Sequence, residues 1–201
     1  MSKIKICGLF RECDIDFANA AAPDYIGFVF TQSRRQVSFE TAKQLRKKLN
    51  NSILPIGVFV DSPIDEVQHL FEEGVICMAQ LHGNESETYI KELKERCGIP
   101  VIKTIKIEKN NQRNSFFSER SRADFLLFDS LKAGSGKRFD WDLIPPCQKP
   151  FFLAGGIDSL NLKEALAHHP FCIDVSSGAE TNGVKDKEKM IDLVKQVKET
   201  F

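Results

Sequence analysis

The chain lacks a surplus of either charge: 28 lysines and arginines stand against 28 aspartates and glutamates, a formal net charge of zero. A nucleic-acid or membrane-surface protein should carry a basic excess somewhere along its length. Here the short clusters Arg34-Arg35 and Arg46-Lys47-Lys48 are diluted by nearby acids, and the second reads as a solvated helix face. No run of 18 apolar residues occurs, so no membrane-spanning helix is expected. The sequence opens without the apolar core of a signal peptide. Its six cysteines (Cys7, Cys13, Cys77, Cys97, Cys147 and Cys172) include no CxxC pair. Free thiols in a reducing cytoplasm are the expectation. Without HExxH, paired cysteines or a carboxylate cluster, no metal site is expected either.

What the chain does have is a rhythm. Apolar runs at Ile4–Cys7, Tyr25–Phe30, Leu54–Val60, Ile76–Leu81, Val101–Ile105, Phe125–Asp129, Phe151–Ala154 and Phe171–Val175 alternate with amphipathic stretches. Most runs are continuously apolar, as in parallel strands buried on both faces. Helix ends are legible between them. Ser38 precedes an apolar line through Leu45 and Leu49 as an N-cap should, and Ser62 sets a hydroxyl before Pro63, suited to a first helical position. Gly98 followed by Pro100 stops the helix of Tyr89, Ile90 and Leu93, and Met190, Ile191, Val194, Val197 and Phe201 share a face of the last helix. Residues 107–122 are polar and weakly patterned, so the fifth helix should be short. Residues 130–149 should be a loop with a turn near Trp141–Ile144.

Repeated strand–helix alternation predicts a parallel sheet with right-handed crossovers, closed into a small (β/α)8 TIM barrel spanning residues 1–201 as one domain. An open doubly wound sheet is the rival, but only a lone Gly8 stands where its glycine fingerprint belongs.

In a barrel, chemistry sits at the C-terminal strand ends. Those positions hold Cys7, Phe30 to Arg35, Asp61, His82, Asp129, Gly155-Gly156 and Ser176-Ser177-Gly178. The last two groups point to phosphate. Paired glycines let backbone N–H groups approach an anion, and Ser-Ser-Gly adds hydroxyl and N–H donors, with a short helix N-terminus expected there. The plainer alternative is a pair of tight strand–helix turns. Cys7 reads either as a packing thiol or as a reactive one at the barrel mouth. Asp129 ends an apolar strand, where an unpaired carboxylate is costly; it is a structural ion-pair partner or a catalytic acid. His82 is a lone histidine with no second ligand beside it, a structural residue or a substrate-binding one.

These segments resemble one family. Lys5-Ile6-Cys7-Gly8, Gly27-Phe28-Val29-Phe30, Ser33 to Ser38, Gly57 to Val60, Gln80-Leu81-His82-Gly83, Gly134 to Trp141, Leu153 to Ile157 and Asp174 to Gly178 follow the order found in phosphoribosylanthranilate isomerases of tryptophan biosynthesis. Gln36 departs from the family, which commonly has an aromatic residue there. The resemblance implies a cofactor-free Amadori rearrangement of an aminoaldose to an aminoketose. It casts Cys7 as general base, Asp129 as general acid and Arg35 as the holder of the anthranilate carboxylate. A thiol near pKa ~8.5 is mostly protonated at neutral pH, so some positive charge near Cys7 is expected to lower it. His82, Gly155, Gly156, Ser176, Ser177 and Gly178 complete the expected substrate site. The partner expected is a small phosphorylated molecule, with no nucleic acid, no membrane, no metal and a monomeric chain. Three alternatives stand beside this reading. A synthase-type barrel acting on indoleglycerol phosphate should have a catalytic Lys at a strand end, and none of the strand ends above carries one. A histidine-pathway aminoaldose isomerase should have Asp in place of Cys7 and a two-fold repeat that is absent here. A non-catalytic phosphate-binding barrel has no need of the Cys7 and Asp129 pair.

Overall fold

The apolar runs become strands because each has two faces to bury. In the computed structural model, which describes residues 2–107, 121–130 and 139–200, they form β1 (Lys3–Cys7), β2 (Tyr25–Val29), β3 (Leu54–Phe59), β4 (Met78–Leu81), β5 (Val101–Ile107), β6 (Phe125–Ser130), β7 (Phe151–Leu153) and β8 (Cys172–Val175). Each pairs in parallel with the next, and β8 returns to β1 with Lys3 opposite Cys172 and Lys5 opposite Asp174. The predicted barrel is therefore closed.

Side chains alternate along each strand, so the outward set (Ile4, Ile6, Ile26, Phe28, Leu126, Phe128) packs under the helices. The inward set (Tyr25, Ile56, Met78, Ile102, Leu127, Phe152 and Cys172) fills the lower barrel. Higher in the same interior the composition turns polar: Lys5, Gln80, Thr104, Asp129 and Asp174 are all buried there. Buried polar groups demand partners: Lys5 bonds Gln80 and Asp174, Thr104 meets His82, and Asp129 accepts the Ser130 N–H. The site begins with them.

The surrounding helices are α1 (Glu12–Ala21), α2 (Phe39–Lys48), α3 (Ile64–Glu72), α4 (Glu87–Cys97), α5 (Leu162–Ala167) and α6 (Lys187–Glu199). None is long and apolar enough to cross a membrane. Ser38 caps α2 by accepting the Thr41 N–H at 3.1 Å, and Gly98 closes α4 with φ +70°, both as expected. Ser62 does not cap α3: Pro63 occupies the N-cap position, and the Glu66 N–H goes to its carbonyl. On α6 the buried face is Met190, Leu193, Val194 and Val197, with Ile191 at its margin. A 3-10 turn at Trp141–Leu143 buries the tryptophan. The expected fifth helix lies largely, and the Gly134–Arg138 part of the family motif wholly, outside the described residues.

One element escaped the strand reading. After β8, a 3-10 turn at Ser177–Ala179 leads into a hairpin of β9 (Glu180–Thr181) and β10 (Val184–Lys185). Its turn residues, Asn182 and Gly183, both have positive φ, 53° and 82°. Asn-Gly is the strongest short hairpin signal, and it was present in the sequence. The helix N-terminus expected after β8 is thus only this three-residue turn.

Candidate active site

A cavity of about 660 Å³ opens at the C-terminal ends of the strands, lined by Cys7, Arg35, His82, Asp129, Gly155, Gly156, Ser176 and Ser177 among others. Eight of the nine residues singled out from sequence thus meet in one place. Gly178 lies outside it. Its Cα–H faces the next loop so closely that a Cβ there would run into the Ile157 carbonyl oxygen; Gly178 lets the loops after β7 and β8 touch. Asp61 is also elsewhere: its carboxylate accepts the Asn84 N–H at 2.7 Å, a local loop bond.

Cys7 comes from the last position of β1, facing inward two residues above Lys5. Its side chain lies over Gly27 of β2, where a Cβ would stand 2.6 Å from Sγ. Burial raises the thiol above its ordinary range, and the charge of Lys5, then that of Lys185, opposes the rise. The positive group expected near Cys7 therefore exists, but burial outweighs it in the free pocket. Lys5 is fully buried and its ammonium donates to both Asp174 oxygens (3.0 and 2.9 Å) and to Gln80 Oε1 at 2.8 Å. Burial disfavours its charge, but Asp174 outweighs burial and holds it protonated.

Asp129 reaches the pocket from β6. Burial pushes its carboxyl up to about 6; the Ser130 N–H, donated to Oδ1 at 2.7 Å, opposes this and the negative Asp174 adds to it. A carboxyl that still holds a proton near neutrality is suited to donate one. Across from it, His82 Nε2 stands 3.6 Å from Asp129 Oδ2.

Arg35 is almost buried, and its Nε and Nη2 donate to the two oxygens of Glu180 at 2.6 and 2.9 Å. The edge expected to fork a substrate carboxylate is thus already engaged. Arg34 Nη2 (2.8 Å) and Lys185 Nζ (2.6 Å) donate to the same carboxylate. Burial alone would raise Glu180, yet the bonds from Arg35 and Lys185 hold it below the usual carboxylate range. Three cations on one anion leave net positive charge beside the pocket. On the other wall Gly155 and Gly156 have φ +94° and +71°, backbone that other residues rarely adopt. The Ser176 hydroxyl donates to the Cys7 carbonyl at 3.1 Å and so ties β8 to β1.

Sequence reading passed over Lys5, Gln80, Asp174, Glu180 and Lys185. A signal existed for three of them: a charged or amide residue inside an otherwise apolar strand, two places before the mouth residues Cys7, His82 and Ser176, faces the barrel interior as those do. For Glu180 and Lys185 the Asn182-Gly183 pair signalled the hairpin but not its contact with Arg35 across 145 residues of chain. Among the described residues no group of three or more His, Cys, Asp or Glu could hold a metal ion.

A closed parallel barrel with a polar pocket at its C-terminal strand ends defines the class: a (β/α)8-barrel enzyme. More narrowly, the chain belongs to the N-(5'phosphoribosyl)anthranilate (PRA) isomerase family, whose sequence model matches residues 4–196. The N-(5'-phosphoribosyl)anthranilate isomerase of Endomicrobium trichonymphae is 48% identical over 200 residues, covering 97% of this chain and 98% of its own. The crystal structure of the phosphoribosyl anthranilate isomerase from Thermus thermophilus matches with a TM-score of 0.87 at 33% identity, covering 98% of each chain. A phosphoribosyl anthranilate isomerase in complex with reduced 1-(o-carboxyphenylamino)-1-deoxyribulose 5-phosphate matches with a TM-score of 0.81 at 28% identity, covering 98% of this chain and 99% of the other.

Proposed function

We infer that this chain isomerises N-(5'-phosphoribosyl)anthranilate to 1-(2-carboxyphenylamino)-1-deoxyribulose 5-phosphate, an aminoaldose to aminoketose step of tryptophan biosynthesis. The observation that carries the assignment of roles is the meeting of Cys7 and Asp129, from β1 and β6, in one cavity. Asp129, whose raised carboxyl keeps a share of its protons toward neutral pH, gives its proton to the ribose ring oxygen, and the C1′–O bond breaks to leave a protonated Schiff base. The cationic nitrogen acidifies the C2′ proton. Cys7 as thiolate takes that proton, and the resulting enolamine tautomerises to the ketone. No atom is gained or lost. Gly155, Gly156, Ser176 and Ser177 take the phosphate, with Gly178 holding their loops together. Arg35, buttressed by Glu180, offers the carboxylate its Nη1 edge, which makes no hydrogen bond among the described residues. Anchoring both ends fixes the sugar between acid and base, the orientation part of catalysis.

The same reading takes residues 1–201 as one cytoplasmic domain acting as a monomer on a small phosphorylated molecule, without cofactor. Among the described residues the exposed large apolar side chains are Leu54, Val60, Leu143 and Leu160; Leu54 opens β3 at the far end from the Leu160 loop, so they do not form one sticky face. Size-exclusion chromatography with light scattering tests the monomer, and a dimer mass refutes it. The function is tested by turnover of freshly made phosphoribosylanthranilate, read as loss of its fluorescence, with chelator present. The wild type should turn over, and Cys7→Ser and Asp129→Asn should each lose about 10² or more in rate. No turnover with phosphate-ester binding intact would make this a binding barrel instead.

A further inference from the structure

Along the floor of the pocket, polar side chains cross the barrel in a chain from Asp174 through Lys5 and Gln80 to His82. The Lys5 ammonium can only donate, so the Gln80 atom 2.8 Å from it is the amide oxygen. The amide NH2 then faces the other way, toward His82 Nδ1 at 3.2 Å. An NH2 group also only donates, so Nδ1 accepts and the ring proton sits on Nε2. The Thr104 hydroxyl, likewise 3.2 Å from Nδ1, can give or accept and does not decide the matter. Nε2 is buried, has no hydrogen-bond partner among the described residues, and stands 3.6 Å from Asp129 Oδ2. The other oxygen, Oδ1, accepts the Ser130 N–H, and the Ser130 side chain also bonds the carboxylate.

We propose that His82 is a positioning residue for Asp129, held by Asp174, Lys5 and Gln80 as the neutral Nε2–H tautomer and aimed at Oδ2 of the carboxylate that forms when Asp129 gives up its proton. This rests on Asp129 acting as the general acid. Neutrality suits the task. Burial pushes His82 down to about 4, and the charges of Lys106, Lys5 and Lys103 push the same way. A cationic ring would keep Asp129 ionised with no proton to give. A neutral N–H steadies the conjugate base and leaves the acid its proton beforehand.

The test is the imidazole nitrogen spectrum of ¹⁵N-labelled whole protein at neutral pH, without substrate, with His82 assigned by comparison with His82→Gln. The expected result is a proton on Nε2. Gln80→Glu, of the same size, offers a carboxylate to both Lys5 and Nδ1 and should move the proton to Nδ1. It should also lower kcat roughly tenfold with KM within about twofold, the pattern of support lost only in the transition state. Thr104→Val should leave the proton on Nε2. A wild-type proton on Nδ1, a doubly protonated ring, or an unmoved proton in Gln80→Glu overturns the proposal. Should Gln80→Glu fail to fold, the wild-type and Thr104→Val spectra still decide it. An Nε2–H ring in a wild type that shows no turnover points to a different failure: it overturns the isomerase reading, and the role assigned to His82 with it.

Discussion

Replacing Asp129 with asparagine is expected to stabilise the protein at neutral pH, because the native residue is kept in a place where its charge is unwelcome. The side chain is 8% exposed, and burial lifts it from an ordinary value of 3.8 to about 6. Between those values the native chain holds a proton that the unfolded chain has released. With more protons bound in the native state, stability falls as pH rises. The site's contribution is thus complete below about pH 4 and lost as pH climbs through 6. At about 1.4 kcal/mol per pH unit the loss amounts to roughly 3 kcal/mol. Asparagine does not titrate, and its Oδ1 can keep the Ser130 N–H. His82 has the opposite slope, since its folded value of about 4 lies below the ordinary 6.5 and its contribution grows with pH. It is common to both proteins and cancels in their difference, apart from coupling across 3.6 Å. Urea unfolding of wild type and Asp129→Asn from about pH 4 to about pH 7.5 measures this. The variant should gain roughly 3 kcal/mol on the wild type over that span. A difference that does not change with pH would refute the reasoning and leave Asp129 with an ordinary carboxyl.

Three further outcomes follow from contacts already described. Glu180→Gln leaves Arg35 with an amide that accepts at one oxygen only, so steady-state kinetics should show kcat/KM down about tenfold, mostly through KM. Gly178→Ala drives a methyl into the Ile157 carbonyl and to 2.9 Å from the Asp158 Cα; urea melts should show a loss of about 1–3 kcal/mol, and inorganic phosphate should compete less well with substrate. Ser38→Ala removes the cap on α2, and thermal denaturation should report a loss of about 1 kcal/mol.

The eight strands were legible because a strand buried on both faces is apolar along most of its length, a local and composition-level signal. The caps at Ser38 and Gly98 were legible for the same kind of reason, since a cap needs only its own neighbours. Ser62 misled because a hydroxyl before a proline suits an N-cap with the proline at the first helical position, whereas α3 starts one residue later with Pro63 itself at the N-cap. The strand-end rule placed Cys7, His82 and Asp129 at the mouth without any knowledge of their partners, because barrel topology alone decides which end of a strand is open. Family motifs supplied the roles, which neither composition nor periodicity contains.

What only the tertiary structure decided is who stands beside whom. Lys5 and Asp174 are 169 residues apart in the chain and become neighbours only when β8 closes on β1. Arg35 and Glu180 are 145 residues apart, and the Asn182-Gly183 turn then brings Lys185 to the same carboxylate by pairing β10 with β9. Local sequence fixes backbone preference and burial, which depend on a residue and its near neighbours. The proton on His82, the charge on Lys5 and the carboxyl of Asp129 depend on field and solvation, and those are set by groups that meet only after the barrel has closed.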